Sequence, residues 1–155
     1  MIKSIIGILA VVVLVGGLML FSNKSSPEPS LTPLASATSG ASLTDFTKAD
    51  YDTALKTDKL IVLYFYANWC PICKAEFPVM QKVFSEMTAD KVIGFRVSYN
   101  DSETDADEIA LAKQFGVGYQ HTKVFVKNGQ RILKSPEGWD EARYFSEITK
   151  WSTSQ

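Results

Sequence analysis

Leu60 to Tyr66 reads Leu-Ile-Val-Leu-Tyr-Phe-Tyr, an apolar, β-branched and aromatic run with no polar break. A strand wet on one face would alternate, so this run predicts a strand covered on both faces. Before it, Thr47 suits an N-cap, and Tyr51, Ala54 and Leu55 face inward on a short helix ending near Lys56. After it, Phe77, Met80, Phe84 and Met87 fall at i, i+3, i+7 and i+10, which predicts a helix over 70–88. Val92 to Tyr99 returns to strand character. Strand, helix and strand in about 40 residues make a βαβ unit with a right-handed crossover. Asp105 to Phe115 then places Ile109, Ala112 and Phe115 on one helical face, with acidic residues at the end where the helix dipole favours them. Thr122 to Lys127 reads as a strand, Asn128-Gly129 as a two-residue hairpin turn and Gln130 to Lys134 as its partner strand. Asp140 to Trp151 closes the chain as a helix with Tyr144, Ile148 and Trp151 inward. The predicted order is helix, β, α, β, α, β, β, α, an α/β domain.

The amino-terminal pattern differs. Ile5 to Phe21 is 17 residues without a charge, long enough to cross a bilayer. A cleaved signal peptide would need small residues just after this run. Met19-Leu20-Phe21 supplies none, and Ala35-Ser36-Ala37 lies about fourteen positions late. No cysteine follows that could carry a lipid. Residues 1–21 are therefore read as a membrane anchor; were the segment cleaved, the product would be secreted. Lys3 and the amino group slightly outweigh Lys24, which Glu28 offsets, and this bias places the carboxy-terminal part outside the cytoplasm. Residues 22–42 hold seven Ser, three Ala, two Thr and three Pro. Such a stretch buries too little to offset its chain entropy and reads as a flexible linker. Residues 43–155 are the folded unit.

Charge narrows the function. Sixteen Lys and Arg against seventeen Asp and Glu leave a net charge of −1, with no basic excess for nucleic acid. One histidine excludes metal sites built on several imidazoles. Two cysteines are too few for a disulfide-stapled mini-protein. Asp101, Glu103, Asp105 and Asp107 alternate like a calcium loop, but Ala106 and Ala112 stand where that loop needs Gly and Glu. They read as a solvated loop and a helix cap.

Both cysteines fall together, in Trp69-Cys70-Pro71-Ile72-Cys73, where the first buried strand meets the long helix. A helix amino terminus presents free N–H groups and partial positive charge, which favour a thiolate. Two-residue spacing on the first turn lets both sulfurs reach disulfide distance. Cys70, nearer the end and expected to be the more exposed, would attack; Cys73, one turn in, would resolve the mixed disulfide. A zinc half-site and a purely structural pair are the other readings of this spacing. Structural zinc needs four ligands, and outside carboxylates the chain offers Cys70, Cys73 and one His. Trp69 is read either as part of an apolar rim facing the partner or as a packing residue.

Residues 46–151 resemble the thioredoxin family. The likeness is carried by Leu63-Tyr-Phe-Tyr-Ala-Asn-Trp-Cys-Pro-Ile-Cys-Lys74, by Pro78 in the long helix, by Phe115-Gly116-Val117 and by Val124 to Gly129. It implies a thioredoxin fold, a central mixed sheet flanked by helices, with Cys70 and Cys73 as the redox pair and Trp69, Pro71, Ile72, His121 and Thr122 as active-site neighbours. It implies no cofactor, and protein thiols and disulfides as partners of a monomer. With the anchor and linker, the chain resembles membrane-tethered bacterial thioredoxin-like proteins working where disulfides persist.

Two positions depart from the family. Many members carry a buried aspartate six residues before the first active-site cysteine; here it is Tyr64, a poor base with an ordinary pKa near 10. Glu76 is a candidate substitute, by closeness in the chain. The family's cis-proline facing the cysteines is replaced by His121. A cis bond before a non-proline residue costs about 3–4 kcal/mol, so a trans bond is expected. Three roles stand open for His121. As an imidazolium it would stabilise the Cys70 thiolate. As a neutral ring it would join Cys70 and Cys73 in holding copper or zinc, which makes a metal carrier the alternative function. Otherwise it simply packs.

Overall fold

Residues 40–154 are described by the computed structural model. The anchor read over 1–21, and the linker through residue 39, lie outside the described residues. Among the described residues no helix is long and apolar enough to cross a membrane. The elements are β1 (Ser42–Asp45), α1 (Lys48–Ala54), β2 (Leu60–Tyr66), α2 (Pro71–Glu86), β3 (Val92–Ser98), α3 (Ala106–Phe115), β4 (Thr122–Lys127), β5 (Gln130–Ser135) and α4 (Glu141–Thr153).

The strands form one mixed sheet in the order β1-β3-β2-β4-β5. β3 runs parallel to β1 and β2, while β4 is antiparallel to β2 and to β5. β2 lies at the centre, which is why its sequence shows no alternation. Leu60, Val62 and Tyr64 pack on one face with Phe84 of α2 and Tyr144 and Ile148 of α4. Ile61, Leu63 and Phe65 pack on the other with Tyr51 of α1 and Leu111 and Phe115 of α3. Because β4 is antiparallel to β2, its first residue, Thr122, pairs with Phe65 near the carboxyl end of β2. His121 therefore arrives where β2 hands over to α2. At the other end of β4, Asn128 and Gly129 have φ of 52° and 73°, the two positive angles that a tight hairpin turn of this kind requires.

Local chemistry sets the helix boundaries. The Thr47 hydroxyl accepts from the Asp50 amide, and the Asp140 carboxylate from the Arg143 amide. Asp105 and Glu108 form a reciprocal capping box at the start of α3. This box corrects one expectation. Ile109 is 59% exposed, while Glu108 is buried and also accepts from the Ser98 amide. Holding Glu108 against β3 turns the face Glu108, Leu111, Ala112 and Phe115 inward and carries Ile109 out to water.

β1 is a second difference. Its four residues are mostly exposed and show no buried-strand pattern, and the strand exists because the edge of β3 accepts it. The folded unit also includes residues before 43. Gly40 bridges to Thr88, and the Ala41 amide donates to the carbonyls of Phe84 and Met87 at the end of α2. The close fit on this side rests on Gly94. A Cβ there would stand 2.5 Å from Cε1 of Phe84 and 2.7 Å from Cδ1 of Leu43. Gly94→Ala is expected to destabilise by about 1–3 kcal/mol, read as a lower urea midpoint at unchanged slope. An unchanged midpoint would mean that the buried Phe84 ring yields freely.

Candidate active site

Cys70 is the N-cap of α2, with extended backbone angles, and Pro71 occupies the first helical position, where its missing N–H leaves no bond unmade. The Cys70 amide donates to Ala67 O, and the Lys74 amide to Cys70 O. The Cys73 amide donates to Cys70 Sγ at 3.2 Å. Both cysteines are free thiols. Cys70 is 2% exposed and Cys73 0%, so Cys70 is far less open than its place at the helix end suggested. The surrounding residues are the open ones: Trp69 is 51% and Ile72 53% exposed, and Pro71 is exposed too. Trp69 is also anchored, its Nε1 donating to Asn100 O at 3.0 Å. The Asn68 amide beside it donates to Asp101 Oδ2 at 2.8 Å. The acidic loop after β3 thus braces the segment leading into Cys70, a role that its reading as a solvated loop did not include, while Asp105 caps α3 as expected. Burial raises the Asp101 carboxyl, but the bonds from Asn68, Glu103 and Thr104 outweigh it and hold the group below its ordinary range.

The resolving cysteine lies in a tighter setting. Burial, then the neighbouring Cys70, pushes the Cys73 thiol up to about 11, opposed by the Ala67 backbone and by the Tyr64 hydroxyl. The position that carries an aspartate in many members of the family is thus a phenol whose hydroxyl acts on the same thiol. Tyr64 in turn donates to Glu76 Oε2 at 2.9 Å. Glu76 Oε1 accepts from Lys123 Nζ at 2.7 Å, from the Trp139 amide at 2.8 Å and from the Tyr144 hydroxyl at 2.9 Å. Burial, then Glu76, raises both phenols well above their ordinary value, so both remain protonated donors. Glu76 is one helical turn beyond Cys73 on the buried face of α2, a spacing that the apolar stripe through Phe77 obscured.

Lys123 is the residue that the sequence pattern missed. Its side chain is 0% exposed, against 4% for Glu76, and it lies over the Trp139, Tyr64 and Tyr144 rings at 5.2, 5.7 and 5.9 Å. Nζ donates also to His121 O at 3.0 Å and to Glu137 O. A lysine flanked by buried strand residues was the available signal, and its partner is 47 positions away.

His121 stands beside the cysteines. One donor atom from each of Cys70, Cys73 and His121 lies within 4.8 Å of the others. No peptide bond among the described residues is cis, and His121 has φ of 49°. A proline, held near −65°, could not take that angle; the histidine substitutes a left-handed trans turn for the family's cis turn. Its ring meets Tyr119 edge-on at 5.3 Å, and Nδ1 is buried with no protein hydrogen-bond partner. Burial, then the Lys123 cation, pushes the imidazole below its ordinary value, with Glu76 opposing. This direction favours the neutral ring, whose nitrogen can offer a lone pair, over the imidazolium. Thr122 is buried, and its hydroxyl donates to Tyr119 O.

A dithiol at a strand-to-helix joint of a mixed sheet defines a protein that exchanges thiols for disulfides. The thioredoxin family model matches residues 42–150. Thioredoxin of Malassezia sympodialis is 35% identical over 96 residues, covering 61% of this chain and 84% of that protein. Its crystal structure superposes with a TM-score of 0.58 at 30% identity, covering 74% of this chain and 93% of that one. Protein disulfide-isomerase of Gallus gallus is 30% identical over 103 residues, covering 66% of this chain and 19% of that protein. The chain belongs to the thioredoxin family and is a thiol–disulfide oxidoreductase.

Proposed function

We propose that this oxidoreductase works outside the cytoplasm, tethered by residues 1–21, and exchanges disulfides with protein partners through Cys70 as attacking thiol and Cys73 as resolving thiol. The asymmetry of the pair carries the assignment of roles. Cys70 is bordered by the exposed Trp69, Pro71 and Ile72, where a partner docks, while Cys73 is sealed and its thiol raised to about 11.

In the reductive direction, Cys70 sulfur attacks a partner disulfide, forms a mixed disulfide and expels one partner thiolate. Cys73 sulfur then attacks Cys70, the Cys70–Cys73 bond forms, and the second partner thiolate leaves with the last of the two electrons. The Cys73 proton passes to the Tyr64 oxygen as the phenolic proton moves to Glu76 Oε2. The influence of the Tyr64 hydroxyl on the Cys73 thiol and the Tyr64 to Glu76 bond support this route. Oxidation of a partner dithiol is the reverse sequence.

The uncharged run over residues 5–21 supports the location. The protein is expected to need detergent for extraction, and the folded domain to be digested by protease added outside intact cells. A soluble mature form starting between residues 22 and 42, or a domain shielded by the membrane, would overturn the tether and the location. Reduction of a protein disulfide by the purified chain and dithiothreitol tests the exchange itself.

A further inference from the structure

The active site brings together more donors than disulfide exchange uses. Two sulfurs and an imidazole nitrogen converge within 4.8 Å. Donors at about 2.0–2.3 Å around one ion in a plane stand about 3.5–4 Å apart, so small side-chain rotations close the set on a metal. His121 brings a buried ring nitrogen that no protein group bonds, and buried polar atoms of that kind call for an explanation. Its backbone is pinned with that ring in place: Lys123 Nζ holds the His121 carbonyl, and Tyr119 backs the imidazole.

We infer that Cys70, Cys73 and His121 form a three-coordinate Cu(I) site that exists only while the cysteine pair is reduced. This goes beyond the exchange activity, which makes no use of the imidazole. The donor set selects the ion. Two thiolates and one imidazole are soft to borderline ligands, suited to Cu(I) and Zn(II). Zinc takes a fourth donor and, with three protein ligands, draws it from water, which the burial of both cysteines and of His121 Nδ1 disfavours, whereas Cu(I) is satisfied by three. The chain has no third cysteine and no second histidine, and Glu76 already accepts from four donors.

On binding, two Cu–S bonds and one Cu–N bond form, and the two thiol protons leave to solvent. When a partner disulfide oxidises the pair, both Cu–S bonds break and the Cys70–Cys73 bond forms. Two electrons pass to the partner's sulfurs, which take up two protons, and Cu(I) departs with its charge unchanged. Disulfide exchange and metal release are then one event.

The test uses the reduced full chain in detergent, with Cu(I) supplied in competition with a chromogenic Cu(I) chelator. His121→Asn is the variant of choice, because asparagine tolerates a positive φ. One Cu(I) per dithiol is expected, with an X-ray absorption shell of two sulfurs and one nitrogen. Loss of an outer-shell partner already weakens metal sites about 10–100-fold, so His121→Asn should weaken this one at least that much. The disulfide form should bind none. A shell of sulfur alone, or unchanged affinity in His121→Asn, would overturn the site, as would Zn(II) held where Cu(I) is not. The absorption measurement on the unaltered chain decides the matter even if the variant fails to fold. Disulfide reduction measured on the same metal-free sample separates failure of this site from failure of the exchange reading.

Discussion

Cys73→Ser accumulates a covalent adduct between Cys70 and its protein partners, whereas Cys70→Ser accumulates nothing and exchanges no faster than buffer. The two expected results differ because the thiols do different work. Without Cys70 no bond to the partner forms. Without Cys73 the bond forms and nothing inside the protein breaks it. With its thiol raised by burial, to about 11 in the reduced pair, Cys73 is almost wholly protonated at pH 7. Release is then a step that waits for a proton to leave. The sign follows from the thiolate being the reactive form. Release should speed about tenfold per pH unit from pH 7 to 9 and level off as the thiol titrates. Glu76→Gln, which removes the end point of the proton path through Tyr64, should lengthen the life of the adduct. Non-reducing gels and mass spectrometry read all of this. Should Cys73→Ser release its partner as quickly as the unaltered chain, the assignment of roles is wrong.

Lys123→Met is expected to cost about 3–5 kcal/mol, because it strands the Glu76 carboxylate in a buried site without its cation. Against a total stability of about 5–15 kcal/mol for a domain, this is a large fraction. Removing the acid instead is no gentler. Glu76→Leu leaves an unpaired ammonium and takes the acceptor from Tyr64, Tyr144 and the Trp139 amide, each at about 1–3 kcal/mol. The double variant Lys123→Met with Glu76→Gln should recover most of the loss. It removes both charges, the amide oxygen still accepts, and its NH₂ can donate to Tyr64. Urea denaturation of Lys123→Met, Glu76→Gln and the double variant gives the coupling. A single-variant loss below about 1 kcal/mol would mean that the pair behaves like a surface pair.

The parts of the molecule visible in the sequence are those whose pattern is a local consequence of burial. β2 is continuous because both its faces are covered, and Asn128-Gly129 marks its hairpin because few residues accept two positive φ angles. Cys70 and Cys73 were legible because their spacing and their place at a strand-to-helix joint carry the chemistry. What stayed hidden depends on distant partners. β1 is a strand only because β3 offers an edge. Glu108 outcompetes Ile109 for the interior because the Ser98 amide needs an acceptor. Lys123 looks like a surface lysine until β4 pairs with β2 in the register that sets it opposite Tyr64 and within reach of Glu76. The resemblance put His121 beside the sulfurs; its left-handed backbone, which a proline could not adopt, carried no signal in the sequence. The burial of Cys70 was missed because its neighbours, not its position on the helix, close over it.

The bracing of the redox loop divides its residues into two kinds for anyone re-engineering the protein. Asn68 and Trp69 are bonded to residues 100–102 across the sheet, so the two loops are a single part with two entry points in the chain. A graft that exchanges one must carry the other. Pro71 and Ile72, exposed between the cysteines, make no such bond to that loop. The dipeptide that separates the sulfurs is thus an interchangeable insert seated in a fixed frame, and the redox character of the pair can be retuned there without redesigning the scaffold.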